Sequence, residues 1–228
     1  MNLTANRLTA AAGLAAAAAG AIFIGVQINH PPADVAHIVT TEMLVRETAK
    51  AVMTVLALVG ITGIFVRHGE RFGVLGLAGY LLLSVGYLAM FAVQCIVAYV
   101  LPTVAKLNPG YVQDLVDAAV GASPSGDIGH MSGVLLVTGI GFSLGGLLFG
   151  IALFRAHVLA RWASVLLAYG TTSALALAAL PESFNRPFAV PTGVALIGLG
   201  VSLWRDQRTA TESVDAPATV RIAEPATR

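Results

Sequence analysis

The chain has 228 residues, 57% of them hydrophobic and 11% charged, with a formal net charge of +1 and a mean hydropathy of +0.81. A soluble domain carries about 25% charged residues, so an ordinary soluble domain is excluded, and the near-neutral balance without a Lys/Arg-dense stretch argues against a nucleic-acid partner. Cys95 is the one cysteine, which rules out an internal disulfide and a cysteine-based metal site.

Six apolar segments follow one another at about 8–28, 47–66, 73–101, 131–154, 158–180 and 187–204. Each reaches or approaches the ~20 residues that cross ~30 Å of hydrocarbon. Only helices suit such spans, because lipid offers no partner to free backbone groups. The predicted fold is therefore all-α: a polytopic six-transmembrane-helix bundle over residues 1–204.

The first segment follows Arg7 and consists largely of Ala and Gly. It is longer than the roughly 7–15 apolar residues of a signal peptide, so a retained first helix is expected. Pro31-Pro32 then predict an external helical turn starting near Asp34 that runs on into the second span. That span opens at Glu47. After the third, Tyr111, Val112, Leu115, Val116 and Ala119 recur at helical spacing opposite Gln113, Asp114 and Asp117, predicting a short helix on the outer membrane surface.

Asp127 reads as the N-cap of the fourth span. This span contains two Gly-x-x-x-Gly pairs, Gly141/Gly145 and Gly146/Gly150. Such pairs let helix backbones approach closely where lipid supplies no drive to associate. Packing within one bundle is the expected use, and a homodimer face through the same four glycines is the alternative. Residues 205–228, poor in large apolar side chains, predict a disordered cytoplasmic tail.

Orientation follows from the basic residues. Alternate gaps hold Arg7, Arg67 and Arg71, Arg155 and Arg161, Arg205 and Arg208; the other gaps hold Arg46, Lys50, Lys106 and Arg186. The excess on the first side predicts both termini in the cytoplasm. Asp34, Glu42, Glu47, Asp114, Asp117, Asp127 and Glu182 all fall on the external side. The preference for Arg over Lys, with abundant Ala, Val and Gly, suggests a GC-rich bacterial genome, hence the bacterial inner membrane.

Asn6-Arg7 leading into an Ala/Gly-rich helix, Leu44-Val45-Arg46-Glu47 opening the second span, and the block Gly141–Gly170 with Arg161-Trp162 together resemble a bacterial membrane family, domain of unknown function 4386. The likeness covers residues 5–204. Members often place an arginine and a glutamate inside the third helix, where this chain has Tyr80, Ser84 and Tyr87. The family has no established activity to lend.

Three constellations hold chemistry-bearing residues. His30, His37 and His130 share the external side with Glu42, Glu47 and Asp127, a donor set that suits a first-row metal. No His-x-x-x-His or Glu-x-x-His spacing occurs, so no metal and no cofactor is assigned. Glu47 is an ionisable residue at the edge of a span, with Lys50 and Thr54 along the same helical face. A secluded Glu47, with Asp127 second, would be the catalytic candidate, acting as a general acid; the competing reading is an interfacial Glu47–Lys50 pair. Tyr80, Ser84, Tyr87, Phe91 and Gln94 form a stripe that would either line a cavity or hydrogen-bond between helices. With His130, four of them (Tyr80, Ser84, Tyr87 and Gln94) are the ligand-binding candidates. Phosphate-binding, nucleophile-elbow and zinc-protease motifs are missing.

The expected function is binding of a lipid-like or small amphiphilic molecule in a polar pocket open to the external side, with membrane lipids as neighbours. The alternatives are a membrane-embedded enzyme acting on a lipid or isoprenoid, and an accessory subunit packing through the glycine-rich fourth helix. Whether the chain is an enzyme is left open.

Overall fold

A computed structural model describes residues 3–177 and 185–215, with side chains over 5–173 and 189–208. The described residues form helices joined by short turns and contain no strand: α1 (Leu3–Gly25), α2 (Val35–Ile38), α3 (Thr41–Tyr99), α4 (Leu101–Leu107), α5 (Pro109–Ala119), α6 (Met131–Ala156), α7 (Arg161–Leu177) and α8 (Asn185–Asp215). Three stretches, Ala5–Gly25, Thr41–Tyr99 and Met131–Ala156, are long and apolar enough to cross a membrane. Much of their apolar surface faces outward. Val52, Val55 and Val59, then Leu77, Leu81, Val85 and Leu88, are exposed along α3. A surface of this kind suits lipid better than water.

The 59 residues of α3 would extend roughly 88 Å if straight, nearly three times the ~30 Å of a bilayer core. The helix is not straight. Gly73 has φ 60° and ψ −162°, a conformation open to glycine and costly for any residue with a Cβ. There the chain turns back on itself. Thr48 and Tyr99 would be roughly 76 Å apart along a straight helix, yet their hydroxyls hydrogen-bond at 3.0 Å. Nearer the turn, Tyr80 stacks on Phe65 with ring centroids 4.3 Å apart and shares a 3.1 Å hydrogen bond with Thr62. α3 is thus a helical hairpin with arms 41–72 and 74–99.

Counting the arms separately, the packing closes into a cycle: α8, α1, the first arm, the second arm, α6, α7 and back to α8. Glycines occupy almost every crossing. Gly13 and Gly20 of α1 lie against Gly200 and Gly193 of α8, and Gly60 and Gly63 of the first arm against Ala16 and Ala12. Gly79 and Gly86 of the second arm meet Phe149 and the Gly141–Phe142 backbone; Gly170 and Gly198 join α7 to α8. Inside the cycle lies one apolar core containing Ile61, Ile64, Leu83, Phe149, Leu153, Leu167, Leu196 and Leu199.

The two Gly-x-x-x-Gly pairs of α6 serve different neighbours. Gly141 and Gly145 press on Gly86 and Leu83 of the second arm, while Gly146 and Gly150 press on Thr171, Ser164 and Ala168 of α7. All four are buried within the chain, so a homodimer would find no free face at these positions.

Three local expectations need correction. The turn at Asp34 does not run into the second span: Asp34 caps α2 by accepting from His37 N–H at 2.9 Å, and Thr40 caps α3 separately. The amphipathic segment forms α5 as predicted, but it does not lie apart on a membrane surface. Its Val112, Leu115 and Val116 are buried in a second apolar cluster with Ile38, Leu101, Ala105 and Ile128, a cap over one end of the bundle. The tail expected from 205 is still helix to Asp215. Arg, Gln, Ala and Glu are good helix formers, and extending a helix already nucleated costs little. The rest of the predicted tail, 216–228, and the end of the fifth span, 178–180, lie outside the described residues.

Close packing and open space give opposite expectations for two glycines of α6. Gly145→Leu must displace the Leu83 backbone and should cost several kcal/mol, at least the roughly 1–3 of overpacking. Gly139→Ala meets nothing within 4 Å and should stabilise α6 by about 0.5–1 kcal/mol through helix propensity. Thermal denaturation of both variants in detergent checks the pair; equal melting would overturn the packing account.

Candidate functional site

Between the cap and the bundle lies a cavity of ≈ 260 Å³. Its walls are mostly apolar: Met43 from the first arm, Val93 and Val97 from the second, Leu115 and Val116 from α5, Met131 and Leu135 from α6. Four polar residues share the lining, namely His30, Glu47, Lys50 and Gln94. A site of this make-up, apolar with a few convergent polar groups, is the usual form of a small-molecule pocket.

The polar end is built in steps. α1 ends at Gly25, and Val26, Gln27 and Ile28 N–H close its last turns on the Ile22, Ile24 and Gly25 carbonyls, so it is the carbonyls just beyond the helix that need other donors. Arg46, in the second turn of α3, reaches across to them: Nη1 donates to Val26 O at 3.1 Å and Ile28 O at 3.0 Å, and Nη2 donates to Asn29 O at 3.0 Å. A cation at a helix C-terminus also complements the helix dipole. Glu42, one turn back, holds the guanidinium at 2.9 Å. Asn29 takes a left-handed conformation, φ 49°, which turns the chain, and Pro31-Pro32 stiffen the connection toward α2. The result is that His30 lies over Glu47.

His30, Glu47 and Lys50 form one unit. Lys50, one turn after Glu47, donates to Glu47 Oε1 in direct contact and approaches His30 Nε2 at 2.9 Å. His30 Nδ1 lies 2.8 Å from Pro31 O. A carbonyl can only accept, so Nδ1 carries a proton, and because an ammonium can only donate, Nε2 accepts from Lys50. The side chains of His30 and Glu47 are 4% and 5% exposed, and His30 Nε2 is 3.8 Å from Glu47 Oε1. The carboxylate and ammonium cancel, so the polar end has dipoles and hydrogen-bonding capacity but little net charge. In the Glu47–Lys50 pair the carboxylate is buried and the ammonium half-buried.

The remaining candidates scatter. Gln94 lines the cavity, and its amide makes no hydrogen bond among the described residues. Tyr80 belongs to the packing inside the α3 hairpin, and Tyr87 is in the core, edge-on to Phe142 at 5.8 Å. The hydroxyls of Tyr87, Ser84 and Ser143 are buried and make no hydrogen bond among the described residues. The stripe therefore divides along the second arm, and one residue of it reaches the cavity. His130 is exposed and supplies no side-chain cap to α6. Asp127 is exposed too; its carboxylate accepts from Gly129 N–H at 2.7 Å. That tight turn competes with helix capping, and with Gly129 at φ 60° the helix starts four residues later, at Met131. His37 pairs with Asp34 at 2.8 Å. Among the described residues no three His, Cys, Asp or Glu side chains converge as a metal site.

Sequence reasoning singled out Glu47 and Lys50 but missed that His30 completes the unit and that Arg46 places it. The signal was present as a cation beside a glutamate near the start of a helix, but its target, the end of α1, is a tertiary fact. The role of Asp114 was also missed. It lies opposite the apolar face of α5, and it accepts from the hydroxyl and backbone N–H of Ser125 at 2.8 and 2.7 Å, pinning the connection into α6 over the cap.

Comparison with protein-family models, with curated proteins and with solved structures finds no match to this chain.

Two predictions test this end of the molecule. Glu47→Gln takes the buried carboxylate away from the Lys50 ammonium and should cost roughly 2–3 kcal/mol, whereas Glu47→Gln/Lys50→Met removes both charges and should recover most of it. Equal melting of the single and double variants would show that the pair is solvated. For Asp114, the Ser125 hydroxyl and N–H hold the carboxyl below the usual carboxylate range. A depressed folded value stabilises above the unfolded pKa, so the anchoring of 121–126 should be complete above about pH 4 and lost as pH falls further. Amide exchange at Ser125 should show that acid step in the parent and lack it in Asp114→Asn.

Proposed function

We propose that the chain is a six-span protein of the bacterial inner membrane, with both termini cytoplasmic, and that its capped cavity binds an amphiphile from the external side. In this reading α1, the two arms of α3, α6, α7 and α8 each cross the bilayer. The turn at Gly73 and the α6–α7 turn then lie on the arginine-rich cytoplasmic side, and the cap of α2, α4 and α5 is external. The resemblance to domain of unknown function 4386 fits the span count and adds no activity.

One observation carries the ligand reading: the cavity is apolar along most of its wall and polar where His30, Glu47, Lys50 and Gln94 meet. An apolar tail suits the first region. A head group that exchanges hydrogen bonds suits the second, and because Glu47 and Lys50 neutralise each other, an uncharged head such as a hydroxyl or amide fits better than a strongly charged one.

The enzyme reading is weaker on the same geometry. A general acid must hold a proton to give away, whereas Glu47 lies against the Lys50 ammonium; Asp127 is outside the cavity wall. The accessory-subunit reading relied on glycines that α3 and α7 already cover.

A dansyl-labelled long-chain alcohol should bind the purified chain saturably. Ala119→Trp, which fills the mouth of the cavity, should weaken that binding at least about tenfold, equivalent to ~1.4 kcal/mol, and Gln94→Leu should weaken it less. Unchanged binding by Ala119→Trp would move the ligand elsewhere. Orientation is tested separately in a Cys95→Ser background. Ser123→Cys should react with an impermeant thiol reagent from outside intact cells, and Glu70→Cys should react after lysis alone. The reverse pattern would place the cavity on the cytoplasmic side.

A further inference from the structure

At the other end of the bundle, α6 and α7 leave a shallow groove of ≈ 310 Å³ on the outer surface. Leu147, Ile151 and Phe154 form one wall, and Val165, Tyr169 and Thr172 the other. The groove opens outward, since Ile151, Val165 and Tyr169 are all exposed. Each wall continues into an arginine. Arg155 follows Ile151 by four residues and Arg161 precedes Val165 by four, so each arginine shares a helical face with its wall. The Arg161 guanidinium also lies over the Phe154 ring, 4.2 Å from its centroid, which fixes it at the end of the groove.

These two arginines differ from others in the chain. Arg46 has Glu42 and Arg67 has Asp206; Arg155 and Arg161 make no ion pair among the described residues. Arg161 is also the first residue of α7, where unpaired backbone N–H groups and the helix dipole add to the attraction for an anion. An outward-facing apolar groove ending in uncompensated positive charge complements a molecule with an apolar chain and an anionic head.

We propose that the α6–α7 groove and the two arginines at its end bind an anionic phospholipid, with an acyl chain along the groove and the phosphate against Arg155 and Arg161. The site is separate from the capped cavity. It rests on the membrane reading but not on the identity or existence of a cavity ligand.

Trp162, exposed and next to Arg161, is a built-in reporter once the other tryptophan is removed by Trp204→Phe. That variant would be reconstituted into phosphatidylcholine vesicles doped with either brominated phosphatidylglycerol or brominated phosphatidylcholine. Half-maximal quenching of Trp162 should come at a roughly thirtyfold lower mole fraction of the anionic lipid, the factor that two basic residues at ~1 kcal/mol each supply near a phosphate surface. Arg155→Gln/Arg161→Gln, both exposed positions, should bring the two curves together. Thr172→Phe, which fills the groove and keeps both arginines, should also remove the preference. Coincident curves in the parent, or a preference surviving the arginine pair, would overturn the site. A preference surviving Thr172→Phe would overturn the groove as the seat of the acyl chain. A chain that fails to enter the bilayer would overturn this inference together with the membrane reading, whereas loss of dansyl-alcohol binding alone leaves it standing.

Discussion

The architecture depends on the close approach of helix backbones at glycine. Lipid tails are as apolar as leucine, so association between apolar helices has to come from dispersion and fit. In this chain the fit is made by removing side chains from the crossings. Gly13 and Gly20 meet α8, Gly60 and Gly63 meet α1, Gly86 and Gly141 meet each other, and Gly170 and Gly198 close the cycle. The larger residues then fill the interior, where Leu83, Phe149, Leu196 and Leu199 are fully buried. The division of labour is strict within α6, whose two glycine pairs are offset by one residue from Gly145 to Gly146 and so face two partners at once.

The polar chemistry depends in turn on that rigid frame. Because α1 and the first arm are held together at Gly60 and Gly63, the end of α1 comes within reach of Arg46. Arg46 gathers three carbonyls, the following loop turns at Asn29, and His30 is delivered to Lys50 and Glu47. Each group in this sequence has a partner for its charge or its hydrogen bond, which is the condition for burying it at tolerable cost. Gln94 is the exception, its amide lining the cavity without a hydrogen bond among the described residues. In the proposed reading, that leaves a place for the head of a ligand beside His30, Glu47 and Lys50.

The features legible in the sequence were the local ones. Long apolar runs, the glycine spacing of α6, the amphipathic face of α5 and the pairing of Glu47 with Lys50 are properties of neighbours one or two turns apart. Gly73 was placed at the start of a span without its role as the reversal point, which needs a backbone angle and not a residue type alone. Asp127 has the right chemistry for an N-cap, but its carboxylate is taken by Gly129 two residues on. The apolar face of α5 was legible, whereas its destination was not: the same pattern suits a membrane surface or a cap over a cavity, and contacts with Ile38 and Leu101, far away in the chain, decide it. Tyr80 and Tyr87 share a helical face with Gln94, but hairpin packing takes the first and the core takes the second.

The capped cavity and the α6–α7 groove handle charge in opposite ways, and this difference underlies the different ligands proposed for them. At the capped end cations face acids: Arg46 faces Glu42, and Lys50 faces Glu47. Introducing a further charge there would cost its desolvation without an unpaired counterion to offset it. At the α6–α7 groove, Arg155 and Arg161 stand on the surface and make no ion pair among the described residues. Their charge is already solvated, so an anionic head group can approach without a buried charge having to be created. Apolar surface is present at both ends and cannot distinguish their ligands. The compensation of charge can: on the proposed reading it favours a neutral head in the capped cavity and a negative one in the open groove.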